Sequence, residues 1–359
     1  MKKQVAVIGA TGIAGQQFLV ALAGHPWFEV VVLAASERSA GKTYGDALRD
    51  PKSGARRWWC LEEPPAPLLD LRVENADGLN LAGIDLVFTA VESEAARVLE
   101  PQYAKTTPVL STASAFRYED DVPIMVPGVN PTHAALIDGQ RRARGWRGFI
   151  APLPNCTTMG LVVTLKPLLD RFGVQRVLMT SMQGVSGAGL SPGVAALEIL
   201  DNVVPYIPGE EEKVACETGK ILGRMDGGAI RPASFPVSAT CTRAAVSEGH
   251  TEAVAVSLGA PAGPADVAAA LADFGGELTG LGLPSAPKRL ITVHDDPFRP
   301  QPRLDRDADG GMTTSVGRIR EDRALEHGVK YVLVSHNTKL GAAKGAVLTA
   351  EVLLTAGHI

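Results

Sequence analysis

The sequence predicts an α/β protein in two parts, a parallel sheet wound with helices followed by an α+β half with a mainly antiparallel sheet. Three observations lead there. The chain opens on a strand, a glycine turn and a helix. Short apolar runs then recur at the spacing of βαβ units. After Cys156 the texture changes, and 235–258 alternates in polarity as antiparallel strands do. A length of 359 residues exceeds what one core usually holds, which also favours two domains.

The opening "QVAVIGATGIAGQQFLVALAGHP" starts with an apolar run, Val5 to Ile8, suited to a strand buried on both faces. Gly9, Gly12 and Gly15 follow as GxxGxxG, and Phe18, Leu19 and Leu22 then fall at helical spacing. Glycines at such a turn let backbone N–H groups approach a pyrophosphate at a helix N-terminus. Strands are expected at 28–36, 84–91 and 107–114, which makes the first part a Rossmann-type dinucleotide domain. The second strand ends in "AASERSAGK", where Ser36, Arg38, Ser39 and Lys42 surround a single Glu37. Hydroxyls and cations suit a 2′-phosphate, so the expected cofactor is NADP(H).

"APLPNCTTMG" (151–160) places Cys156 behind Pro154-Asn155 and ahead of an apolar helix. A helix N-terminus favours the thiolate through its partial positive charge, and the thiolate is the nucleophile. A small buried hydrophobe would fit the same position. Further on, "GVQRVLMTSMQGVSGAG" reads as a strand and a glycine-serine loop, and "GEEEKVACETGKILG" (209–223) as a charged helix entry. The run 235–258 alternates like antiparallel strands of one open sheet, and 341–354 is an alanine-rich helix. The expected division is a nucleotide domain over 1–154, completed by a C-terminal helix within 338–359, and a catalytic and dimerisation domain over 155–337.

Bulk properties exclude several classes. A net charge of −4 gives no reason to expect nucleic acid or an anionic membrane as partner. The longest uncharged stretch, 177–197, holds four glycines, three serines, a glutamine and a proline, so a membrane helix is not expected. The start lacks a signal-peptide pattern, which points to the cytoplasm. Four scattered cysteines predict neither disulfides nor a metal site.

Taken together, "GATGIAGQ", "LAASERSAGK", "STASAFRYEDDVPIMVPGVN", "PNCTT", "MQGVSGAG", "EEEK", "RAAVSEGHTE", "RPQPRLDRDADGGM", "VGRIR" and "HNTKLGAA" resemble the aspartate-β-semialdehyde dehydrogenase family of archaea and fungi, nearly end to end. The resemblance implies Cys156 as nucleophile, His250 as general acid/base and Gln183 as the residue orienting the substrate. It implies Arg243 as the clamp on the substrate carboxylate, with Glu210, Lys213, Arg117 and Asn155 also binding substrate. Cofactor contacts fall on Gly9, Thr11, Gly12, Ile13, Ser36, Arg38, Ser39, Ser186, Gly187 and Asn337. The implied partners are a small acyl substrate, phosphate and a second copy of the chain, as homodimer or homotetramer.

The chemistry agrees with the residue types. A thiolate attacks an acyl carbon, an imidazole titrating near neutrality moves its proton, and backbone N–H groups at the helix start hold the oxyanion. Departures from the family pattern are Thr112, Gly128, Gly184 and Lys344. Malonyl-CoA reductase, a relative with the same thioester chemistry, is the alternative enzyme reading. An idle NADP-binding or regulatory protein is the alternative outside enzymes, disfavoured by the intact set of Cys156, Gln183, Arg243 and His250.

Overall fold

The computed structural model describes residues 1–189 and 193–359. The chain forms two compact units, one of residues 1–125, 134–153 and 342–359, the other of 126–133 and 154–341. The sequence reading put the crossings at 154/155 and 337/338. It had no local signal for the excursion of 126–133 into the second unit.

The first unit is built on a six-stranded parallel sheet of β1 (Lys3–Ile8), β2 (Phe28–Ala35), β3 (Val73–Asn75), β4 (Leu86–Thr89), β5 (Val109–Ser111) and β6 (Ile150–Pro152). The order is β3-β2-β1-β4-β5-β6, so the winding reverses between β1 and β4. Strands β3 and β6, of three residues each, escaped sequence reading. Val5 to Ile8 are fully buried, as the central strand of a two-faced sheet requires. The C-terminal helix, Ala343–Thr355, packs its small residues against the helix Ile13–Leu22. His25 Nε2 lies 2.8 Å from the buried Glu351 carboxylate on that helix.

In the second unit come β7 (Val174–Gln183), β8 (Val203–Val204), a small hairpin of β9 (Arg224–Asp226) and β10 (Ala229–Arg231), and then β11 (Val237–Ala244), β12 (His250–Leu258), β13 (Ile291–His294), β14 (Thr314–Glu321) and β15 (Gly328–Ser335). Seven of these form one mixed sheet in the order β13-β14-β15-β12-β7-β11-β8. As expected for 235–258, β11 and β12 run in opposite directions within one sheet. β11 and β12 are not neighbours; β7 lies between them, parallel to β11 and antiparallel to β12. The alternation was real but could not reveal which strand fills the gap. The helix Cys156–Phe172 covers one face of this sheet. On the opposite face Leu178, Thr180 and Met182 are exposed, alternating with buried Val177, Met179 and Ser181. The stretch 177–197 therefore enters as β7 and a short 3₁₀ turn (Val185–Ala188), with 190–192 outside the described residues. Among the described residues no helix is long and apolar enough to cross a membrane.

Candidate active site

Strand order assembles the site. The parallel pairing of β7 and β11 sets Gln183 directly beside Arg243 at the ends of their strands. Antiparallel β12 starts at that same edge, with His250 paired across to Ser335 at the end of β15. The helix that opens on Cys156 begins there too. Its N-cap, Asn155, accepts the N–H groups of Thr157 and Thr158 on its side-chain oxygen. Such a cap is worth about 0.5–2 kcal/mol.

Cys156, the first helical residue, brings Sγ to 3.1 Å from His250 Nε2. The imidazole is completely buried, and its other nitrogen, Nδ1, accepts the Gly184 N–H at 3.1 Å. Burial first, then the positive charge of Arg243, hold the imidazolium down to about 3. The sequence expectation of an imidazole titrating near neutrality is therefore corrected, because sequence cannot report complete burial. Arg243 itself is 8 % exposed and donates to the Gly184 carbonyl at 2.9 Å. Burial lowers its pKa, against the opposing pull of Cys156 and Glu210. It is no plain surface charge.

Asn155 Nδ2 donates to Glu210 Oε1 at 2.9 Å, and Lys213 Nζ stands 3.8 Å from the other oxygen of Glu210. Glu217, which the sequence reading passed over, accepts the Asn155 N–H at 2.6 Å. The available signal was its spacing, seven residues after Glu210 on the helix Glu210–Ile221, two turns along one face. These bonds also narrow the expected oxyanion hole. The amides of Asn155, Thr157 and Thr158 already serve Glu217 and the cap. Gln183, 1 % exposed, donates to Ser181 Oγ at 3.2 Å.

Behind β15, Asn337 accepts the Gly249 N–H at 2.8 Å and donates to Ser186 Oγ at 2.9 Å. A Cβ on Gly187 would lie 3.0 Å from Arg243 Nη1, so that loop runs close over the arginine. A Cβ on Gly341 would stand 3.0 Å from Cys156 Cβ and 2.7 Å from the Asn337 carbonyl oxygen, which explains a glycine there. His336, also unremarked in the sequence, is fully buried with Nε2 3.5 Å from Asp307.

The remaining candidates lie in the first unit. A Cβ on Gly9, at φ +81°, would come 2.3 Å from the Ala90 carbonyl oxygen, so only glycine turns here from β1 beside β4. Thr11, Gly12 and Ile13 follow at the helix start, which has no acidic residue in its first turn. That is the reversal point of the sheet, where a dinucleotide's pyrophosphate fits the helix N-terminus. Ser36 and Arg38 are exposed at the end of β2, and Ser39 N–H closes the turn on the Ser36 carbonyl at 2.9 Å. Arg117 is buried and donates to the Thr112 carbonyl at 2.9 Å. Among the described residues no cluster of His, Cys, Asp and Glu could hold a metal ion, and the four cysteines are free thiols.

Comparison with known proteins follows the same division. Residues 4–137 match the model "Semialdehyde dehydrogenase, NAD binding domain", and 165–340 match "Semialdehyde dehydrogenase, dimerisation domain". The chain is 47% identical over 349 residues to the aspartate-semialdehyde dehydrogenase of Methanothermobacter thermautotrophicus, covering 97% of this chain and 98% of the relative. It is 41% identical over 367 residues to that of Saccharomyces cerevisiae, covering 98% of each. A crystal structure of aspartate semialdehyde dehydrogenase with NADP from Candida albicans superposes over 100% of both chains with a TM-score of 0.89 at 40% identity. A Vibrio cholerae aspartate semialdehyde dehydrogenase II structure follows at 0.76 and 29%, covering 99% of each. The corner at Cys156, the glycine turn and these full-length likenesses together place the chain in the aspartate-semialdehyde dehydrogenase family.

Proposed function

We propose that this chain is an NADP-dependent aspartate-semialdehyde dehydrogenase. It converts L-aspartyl-4-phosphate to L-aspartate-4-semialdehyde and phosphate, in the synthesis of lysine, threonine and methionine. The observation that carries this reading is the Cys156 thiol 3.1 Å from His250, with buried Arg243 hydrogen-bonded to the same Gly184 that meets the imidazole.

In this mechanism Cys156 attacks the acyl carbon, phosphate leaves, and a thioester remains on the enzyme. A bound nicotinamide cofactor would supply hydride chemistry at this carbon. Gly9, Thr11, Gly12 and Ile13 would hold its pyrophosphate end, Ser36, Arg38 and Ser39 its 2′-phosphate, and Ser186, Gly187 and Asn337 its nicotinamide end. Gln183 orients the acyl group. Arg243 grips the substrate carboxylate as a planar two-pronged donor. Glu210 meets the substrate ammonium, and Lys213 and Arg117 meet phosphate. The outer face of β7, where exposed Leu178 and Met182 flank Thr180, supports pairing of two copies as a homodimer, alone or within a homotetramer. A soluble, cytoplasmic enzyme fits these roles.

The deciding assay is NADP⁺ reduction with aspartate semialdehyde, with and without phosphate, beside NADPH oxidation with malonyl-CoA. Phosphate-dependent turnover of the semialdehyde is expected. Turnover of malonyl-CoA alone would replace the reading.

A further inference from the structure

The helix Ser93–Ala104 sends one carboxyl group into the interior of the first unit. Glu100 is completely buried, and its Oε1 accepts hydroxyls from the ends of two neighbouring strands. Thr89, the last residue of β4, donates at 2.6 Å, and Ser111, the last of β5, at 2.5 Å. Both lengths fall in the range of hydroxyl–carboxylate bonds, about 2.5–2.7 Å. The other oxygen, Oε2, has no hydrogen-bond partner among the described residues. Ser111 Oγ also accepts the Ala113 N–H at 3.0 Å, so one hydroxyl joins the carboxylate to the turn that follows. Thr112 in that turn is tied to the Thr89 carbonyl by its N–H at 3.0 Å and its hydroxyl at 3.2 Å. Ser114 meets Ser93, the first residue of the helix that carries Glu100. The turn ends on buried Arg117, which donates back to the Thr112 carbonyl at 2.9 Å. Glu100 thus braces the turn that presents Arg117.

We propose that Glu100 is a positioning residue of the anion site, and that a tetrahedral dianion gripped by Arg117 drives a proton onto its Oε2. This rests on the reading above in which Arg117 meets phosphate. One guanidinium cannot fully serve two anions. Without a bound anion, Arg117 and the two hydroxyls favour the carboxylate against its burial. A bound dianion engages the charge of Arg117 and adds repulsion of its own. An unpartnered anionic oxygen then costs far more to keep buried than an unpartnered hydroxyl. The proton comes from water, and the O–H bond is the one bond formed. Oε1 of the resulting acid is a carbonyl oxygen that still accepts both hydroxyls, so the turn stays seated.

The charges around Glu100 are few. Strands β4, β5 and β6, which pack on its helix, bring no ionisable side chain. On the helix itself Glu94 and Arg97 are exposed. Tyr103 donates its hydroxyl to the Ala76 carbonyl, and burial pushes its pKa up, so it stays neutral. Arg117 is left as the cation acting on Glu100. Burial lifts the Glu100 carboxyl to about 7, against the opposing pull of Ser111, Thr89 and Arg117. Proton exchange at this carboxyl therefore falls in the neutral range.

The test follows sulfate, which stays a dianion throughout, binding to the full-length enzyme by calorimetry from about pH 6 to 9. Wild-type affinity should be level below about pH 7 and fall by up to about tenfold per pH unit above it. Proton uptake near pH 8 is counted by comparing buffers of different ionisation heat. Glu100→Gln keeps the shape and the acceptor oxygen and stays neutral at every pH. It should take up no proton and bind sulfate about tenfold more tightly than the wild type near pH 8. A merely structural role predicts weaker binding at every pH, and a variant that is weaker, or that takes up the same proton, overturns the proposal. Ser111→Ala removes a bond that favours the carboxylate, so it should move the fall in affinity to higher pH. It decides the matter if the glutamine variant does not fold, and an unmoved fall overturns the proposal. Arg117→Ala separates this inference from the reading beneath it. Sulfate binding indifferent to Arg117→Ala would take Arg117 out of the anion site and the proposal with it. Binding that needs Arg117 yet takes up no proton in the wild type overturns the role of Glu100 alone.

Discussion

Cys156 and His250 stand 94 positions apart in sequence and 3.1 Å apart at their reacting atoms. Asn155 makes that closeness usable. It caps the helix, binds Glu210 and gives its own N–H to Glu217, so Cys156 rides on a corner tied at three points. Replacing the sulfur tests the corner's purpose. Cys156→Ser should abolish turnover while leaving NADP affinity within about twofold, because an alcohol is far less ionised than a thiol; steady-state assays beside cofactor fluorescence titration would measure both. Substantial turnover in the serine variant would take Cys156 out of the mechanism. At the other candidate site, Arg38 is an exposed cation at the end of β2. Arg38→Ala should raise KM for NADP about tenfold with little change for NAD, in keeping with the loss of one charge-assisted contact of about 1.5–3 kcal/mol. The ratio of kcat/KM for the two cofactors reads this directly, and an unchanged ratio would relocate the 2′-phosphate contact.

Among the elements, β12 does two jobs. Its first residue is His250, and two positions on, Glu252 is completely buried with neither carboxyl oxygen hydrogen-bonded to another described residue. Burial alone pushes that carboxyl well above the usual range. An acid whose folded pKa is raised contributes stability that is fully present below its unfolded value near 4.3 and is lost as pH rises through the folded one. Glu252→Gln keeps the shape and stays neutral. It should therefore match the wild type near pH 4.5 and exceed its stability near pH 8 by at least about 1.4 kcal/mol, the equivalent of one pKa unit, because only the wild type loses stability as the pH rises. Urea unfolding at the two pH values checks this, and an equal difference at both would mean that Glu252 is not held protonated. The helix Cys156–Phe172 shows the complementary arrangement, since its buried face is mostly apolar, with the cap bonds at its first turn and the Thr164 hydroxyl 2.9 Å from that of Tyr331 further along.

For the whole molecule, the second sheet is covered by helices on one face and carries Leu178 and Met182, 40% and 38% exposed, on the other. Exposed apolar side chains alternating along a central strand are expensive to leave in water, at about 25 cal/mol per Å² of apolar surface. Pairing with a second copy would remove that cost. Leu178→Asp should shift the enzyme toward monomer at micromolar concentration while leaving far-UV circular dichroism unchanged, as sedimentation velocity would show. An assembly indifferent to this charge would place the interface elsewhere. The match of 165–340 to a dimerisation-domain model agrees with the expected outcome.

The local sequence by itself determined the parts that depend on near neighbours. The strand–glycine–helix opening, the Ser36–Lys42 turn, the helix beginning at Cys156 and the alternation of β7, β11 and β12 all follow from short-range sterics, capping and periodicity. The roles expected of Gln183, Arg243 and His250 rest on whole-chain resemblance, because an isolated histidine or arginine carries no sign of what it will face, whereas Cys156 had a local signal in its place at a helix start. Tertiary structure alone decided that β7 would separate β11 from β12 and so bring Gln183, Arg243 and His250 to one edge. It also decided that residues 126–133 would join the second unit, that Glu217 would hold the Asn155 amide, and that the imidazole would be driven down to about 3. Strand order and burial are sums over contacts between residues far apart in the chain, and desolvation depends on everything packed around a group, so no window of sequence contains them.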